Sequence, residues 1–177
     1  MDNTFESKVH LKMNWFLGRL KNALKNLPDN PKPSCTGFYL CDYDHDTGLL
    51  IAEQIGIIPE EKKAKYFQFA IKKVMQTLSF GKTRSKEFEN NALEQYPGAI
   101  KLYLNCAGVS GHDSMVDEAI SVLWLITKEL QGRVYDDDNY EFWLEVFGIS
   151  LNIQKELVPD NKWISIIAKL ITDSVPK

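Results

Sequence analysis

The sequence predicts an α/β protein of the α+β kind, a small antiparallel or mixed sheet packed with helices and extended by helices at both ends. Three observations carry this. Two aromatic and branched runs flank an Asp- and Gly-rich turn between residues 37 and 53. A third extended run, at 101–107, feeds a Gly-rich turn. Five longer segments repeat apolar residues at helical spacing. A chain of 177 residues fits a single domain and buries roughly 70% of its unfolded surface. Within it, residues 1–33 read as an N-terminal helix and Pro-rich connector, 37–131 as the sheet-and-helix core, and 133–177 as C-terminal helices.

The first helix is expected over residues 5–26, where Val9, Met13, Phe16, Leu17, Leu20 and Leu24 form one apolar stripe. Lys8, Lys12, Arg19, Lys21 and Lys25 crowd its other faces. Such a basic amphipathic helix can lie on an anionic membrane; docking on the core through the stripe is the preferred reading. Pro28, Pro31 and Pro33 end the helix and stiffen the connector. Gly37–Cys41 and Leu49–Glu53 then form a hairpin around Asp42-Tyr-Asp-His-Asp-Thr-Gly48.

A second helix is expected from Pro59 to Phe80, with Pro59 in its first turn and Glu60 and Glu61 at the positive end of its dipole. Phe67, Ile71, Val74 and Leu78 are its expected inner face, and Gly81 its stop. The polar stretch 82–95 reads as a loop or short helix, and residues 101–107 as one strand, the third and last that can be read. Gly108-Val-Ser-Gly-His112 reads as a tight turn into a third helix, with Ser114 and Asp117 as its capping pair. Val116, Ile120, Leu123 and Leu130 mark that helix's buried side. After the acidic turn Asp136–Asp138, two further helices are expected near 139–156 and 160–173, on Trp143, Val146, Phe147, Trp163, Ile167 and Leu170.

Composition narrows the function. A formal charge of -3 and a pI near 5.7 disfavour a nucleic-acid surface, which is normally basic. Cys35, Cys41 and Cys106 form no CxxC pair and leave one unpaired, which suits a reducing compartment. No secretory leader pattern and no apolar run of membrane-spanning length can be read. The expectation is a cytoplasmic protein without a membrane span.

Three clusters invite chemistry. Asp42, Asp44 and Asp46, with Glu53 eleven residues after Asp42, match the carboxylate spacing of a calcium loop. Gly48, however, sits one place late and the flanks read as strands, so a solvated hairpin turn is preferred and no metal site is assigned. The same aspartates resemble the Asp-x-Asp-x-Thr of haloacid dehalogenase-like phosphatases, whose first carboxylate attacks phosphorus; here Gly48 stands where that threonine belongs. Gly108-Val-Ser110-Gly111-His112 resembles a nucleophile elbow, with His112 in place of the final glycine. The milder reading is that the backbone N–H groups of this turn, at a helix start, hold an anionic ligand. His10, His45 and His112 are scattered and give no metal signature. Cys106 reads as packing.

Taken together, the segments Asp44–Ala52, Ala70–Lys73 with Phe80–Ser85, and Gly108–Gly111 with Asp117–Ala119 resemble the GlcG and HbpS family, over roughly residues 37–127. That family includes haem-binding proteins and the C-terminal domain of some cobalamin adenosyltransferases. It usually carries an extra hairpin just before Gly-Val-Ser-Gly, whereas residues 97–108 here read as one strand. The resemblance implies a module that oligomerises and binds a small molecule, with haem as a possible cofactor; no family haem ligand maps onto this chain.

The function expected is therefore a non-enzymatic small-molecule-binding or sensory module, for a tetrapyrrole or anionic ligand, forming a homo-oligomer and binding no nucleic acid. Its expected ligand-binding residues are Gly108, Ser110, Gly111 and His112, with no catalytic residue. The alternative is a hydrolase of phosphate or acyl substrates, acting through Asp44 and Asp46 or through Ser110.

Overall fold

The computed structural model describes residues 16–93, 95–131 and 140–176. Four antiparallel strands, β1 (Gly37–Asp44), β2 (Leu49–Gly56), β3 (Ala99–Leu102) and β4 (Asn105–Ser110), form one sheet in the order β2-β1-β4-β3. Helix α2 (Glu60–Ser79) covers one face. Helix α3 (Ser114–Gln131) covers the other, backed by α4 (Tyr140–Leu157) and α5 (Trp163–Asp173). Helix α1 is described over residues 16–25.

Alternation along the strands builds the two layers, because successive side chains point to opposite faces. Phe38 and Leu40 of β1 and Ala107 and Val109 of β4 enter the main core with α3. Cys41 and Cys106 face α2 with Ala70 and Val74. Both thiols are fully buried, and desolvation pushes their pKa values up to about 12, so Cys106 is packing, as expected. Helix α3 is buried almost all round, from Val116 to Thr127, since the sheet takes one side and the C-terminal helices another. Phe16, Leu17, Leu20 and Leu24 of α1 join the same core, so its apolar stripe is spent on docking. The part of the expected first helix before Phe16, with Val9, His10 and Met13, and the acidic turn Asp136–Asp138 lie outside the described residues. Among the described residues no helix is long and apolar enough to cross a membrane.

Several local expectations need correction. Residues 101–107 are not one strand. They contain a hairpin, β3 to β4, closed by Tyr103 and Leu104, and the sheet has four strands instead of three. The two central residues of this turn carry no Gly, Asn or Pro signal; Tyr103 itself takes a left-handed φ of 53° with its ring in solvent. Gly108–Ser110 are the last residues of β4, and the turn begins only at Gly111. Pro59 precedes α2 as its cap and is not its first helical residue. At the other end of α2, Gly81 takes a φ of 62°; its N–H donates to Leu78 O and that of Lys82 to Thr77 O, closing a Schellman motif. The N-cap of α3 is Asp113, not Ser114: Asp113 Oδ1 accepts the N–H of Met115 at 3.0 Å.

The inner face of α2 is only partly as expected. Val74 is buried and Ile71 and Leu78 pack half-buried beside it, but Phe67 is exposed and Ala70, Lys73 and Thr77 are buried as well. The polar stretch 82–95 makes two 3₁₀ turns, Ser85–Phe88 and Asn91–Leu93. It covers the β3 edge: Lys101 N donates to Thr83 O at 2.7 Å, and Ala99 N to Ser85 Oγ at 2.9 Å.

Candidate functional site

The segment Gly108, Ser110, Gly111 and His112 runs off the end of β4 between α2 and the connector that follows α1. Its two glycines have steric reasons. A β-carbon on Gly108 would lie 2.8 Å from Val74 Cγ2 and 3.0 Å from Ala70 O, so the glycine lets α2 sit close on the sheet. A β-carbon on Gly111 would lie 2.5 Å from Phe38 Cβ. Ser110 is buried and His112 half-buried, and both border open space.

Two cavities meet at His112. The larger, about 530 Å³, lies between the end of α1, the connector and the sheet. Leu24, Leu27, Phe38 and Ile55 give it apolar walls, and Lys21 and Lys25 add two exposed cations. Cys35 and His112 complete it on the side of the turn. The smaller is an open cleft of about 160 Å³ under α2, bordered by Ser110, Gly111 and His112 on one side and by Lys65, Tyr66 and Lys73 on the other. Lys32 Nζ and Cys35 Sγ both donate to Gly111 O, pinning the connector to the turn between the two spaces.

The electrostatics of the turn are set by Lys73 and Asp117. Lys73 Nζ donates to Val109 O at 2.6 Å and to Asp117 Oδ2 at 3.2 Å. Asp117 Oδ1 accepts the backbone N–H of His112 at 2.9 Å. The carboxylate of Asp117 thus stands where the dipole of α3 favours an anion, and it takes the N–H that the sequence offered to a ligand. Burial lowers the pKa of Lys73, against the attraction of Asp117, which raises it. Burial also lowers that of His112, opposed by Asp117, which favours the neutral imidazole. Its Nδ1 is buried with no hydrogen-bond partner among the described residues, and its ring stands 5.4 Å from that of Phe38.

The pieces of a serine nucleophile are not assembled: among the described residues no hydrogen bond joins Ser110 to His112. Cys35 is half-buried and burial raises its pKa, which keeps it a thiol.

The aspartate cluster lies at the opposite end of β1. Lys128 Nζ sits 2.9 Å from both Asp42 Oδ2 and Asp44 Oδ2. Asp44 Oδ1 accepts the N–H and hydroxyl of Thr47, each at 3.0 Å. The hydrogen bond from Lys128 leads in holding Asp44 down at about 2, whereas burial raises the pKa of Asp42. Asp42 is buried, so the turn is less solvated than expected, while Asp46 and His45 are exposed. Among the described residues no group of three or more His, Cys, Asp or Glu could hold a metal ion.

Sequence reasoning missed the buried charges. Besides Lys73, Glu118 is fully buried, and Arg84 reaches it with two donors, Nε at 3.1 Å and Nη2 at 2.7 Å. Asn161 Nδ2 donates to the same carboxylate at 3.0 Å. The available signal for Lys73 was the small and polar stripe Ala70, Lys73, Thr77, at helical spacing on α2. Comparison of the chain with protein-family models, curated proteins and solved structures gives no match.

Proposed function

We propose that this protein is a non-enzymatic small-molecule-binding or sensory module whose ligand has an apolar body and an anionic group. The observation that carries the reading is the cavity of about 530 Å³ at His112, which lies within the usual range for ligand sites of about 300–1,000 Å³. Its apolar walls suit a ring system or chain, and Lys21 and Lys25 suit carboxylates or a sulfonate. His112 and Cys35 are its polar groups on the side of the turn.

Haem belongs to this ligand class and enters through the sequence resemblance. The lining fits its chemistry in two respects: His112 is an imidazole beside the cavity, and Lys21 and Lys25 are cations for its propionates. Titration with haemin, followed by absorbance, tests the reading. A saturable Soret shift that weakens in Lys21→Glu/Lys25→Glu supports it. A spectrum indistinguishable from that of free haemin removes tetrapyrroles from the ligand class.

A homo-oligomer belongs to the same proposal. Among the described residues, the β3 edge is covered by residues 83–85, whereas β2 ends the sheet with Leu49, Leu50 and Ile51 exposed. An uncovered apolar edge favours strand pairing with a second copy, and light scattering at micromolar concentration reads it as a dimer. The three free thiols fit a reducing, cytoplasmic setting.

A further inference from the structure

We propose that the cleft of about 160 Å³ under α2 is a second site, which takes a doubly charged phosphate group, either inorganic phosphate or the head of a small phosphate monoester. The inference concerns the opposite side of the turn from the larger cavity and holds whether or not that cavity is ever filled.

Charge is the first argument. Lys32, Lys65 and Lys73 all border the cleft, and Asp117 is the one carboxylate among its lining residues. Lys73 and Asp117 pair with each other, which leaves the two positive charges of Lys32 and Lys65, a balance that a phosphate dianion meets and a single carboxylate does not. Asp117 itself is turned away from solvent, its side chain 3% exposed, with one oxygen on Lys73 and the other on the N–H of His112. Its charge and that of Lys73 are satisfied by each other, so the outward field of the cleft is that of Lys32 and Lys65.

Donor geometry is the second argument. An ammonium has three donors. Lys73 gives two of them to Val109 O and Asp117, and Lys32 gives two to Tyr66 Oη and Gly111 O. The bonds of Lys32 fix its side chain at the cleft and leave a further donor for a ligand oxygen, whereas Lys73 is spent on holding the floor of the cleft. Lys65 is held over the ring of Phe69, 5.4 Å from its centroid. The hydroxyls of Ser110 and Tyr66 border the same space and add neutral donors.

The test measures binding of inorganic phosphate and, separately, of phenyl phosphate to the full-length protein by calorimetry, at constant ionic strength set with chloride. Saturable binding of either at millimolar or lower concentration is expected, weakened about tenfold in Lys65→Ala and more in Lys65→Glu. Tighter binding of the ester identifies a monoester head as the ligand; equal or tighter binding of inorganic phosphate identifies the free ion. Lys65 is exposed, so these variants keep the fold, which circular dichroism checks. No binding above the chloride background, or binding indifferent to both Lys65 variants, overturns the proposal.

Discussion

The ammonium of Lys73 and the carboxylate of Asp117 lie 3.2 Å apart, with side chains only 6% and 3% exposed. This pair ties α2 to the start of α3 across the end of β4, and Asp117 also orders the turn through His112 N. Removing one partner leaves a buried charge unpaired. Lys73→Met and Asp117→Asn should each cost about 3–5 kcal/mol in denaturant unfolding. The double variant should cost clearly less than the sum. Additive costs would mean that the two groups do not interact as the geometry requires.

The glycines separate packing from conformation. Gly108→Ala drives a methyl against Val74 and the backbone of α2 and should destabilise by about 1–3 kcal/mol. Gly148 lies exposed within α4, with nothing within 4 Å of an added β-carbon. Gly148→Ala should therefore stabilise by about 0.5–1 kcal/mol. Thermal unfolding of both variants checks the contrast. Equal effects of the same sign would contradict the close approach of α2 to β4.

Acid sensitivity should trace to Asp44 and Asp160. Hydrogen bonds from Lys128 and from Lys86, respectively, lead in holding these carboxyls at about 2 in the folded protein. Their unfolded values lie near 4, at about 3.9 for a free Asp. The folded state then binds fewer protons across that window. The stabilisation they give is present above pH ~4 and is lost as pH falls through about 2. Asp42, raised by burial, works in the opposite direction. The stability gap between wild type and Asp44→Asn should narrow as pH drops from 5 to 2. A gap constant across that range would remove Asp44 from the account.

Calcium should not stabilise the protein, although the spacing of Asp42, Asp44 and Asp46 resembles a calcium loop. Lys128 already stands between the two inner carboxylates, and a cation would have to displace it. Thermal unfolding with excess calcium and with chelator should coincide. A chelator-reversible increase in Tm would show that a cation displaces Lys128.

The legible part of the fold was the part written in periodicity. The apolar stripe of α1 from Phe16 on, the buried sides of α3 to α5 and the hairpin around Asp44 are repeated patterns, and the structure has them. The β3–β4 hairpin was hidden because Tyr103 makes its turn without any residue that announces one. The burial of Ala70 and Lys73 on α2 was hidden because two glycines make room for it, Gly108 against Ala70 and Val74 and Gly98 against the Lys73 ammonium. At the site, Ser110 and His112 were marked by their position at a strand exit. Lys65 and Lys73 share α2 but Lys32 comes from the connector, and only the packing of the two brings them to the same cleft.

The most direct test of the binding account is a fluorescence titration with anilinonaphthalene sulfonate, an aromatic body carrying one anionic group. The account predicts one saturable site on the folded protein, weakened about tenfold by Lys21→Glu/Lys25→Glu and abolished when Thr36→Trp fills the larger cavity that Thr36 lines. Binding that is absent, or that survives both changes undiminished, would contradict it.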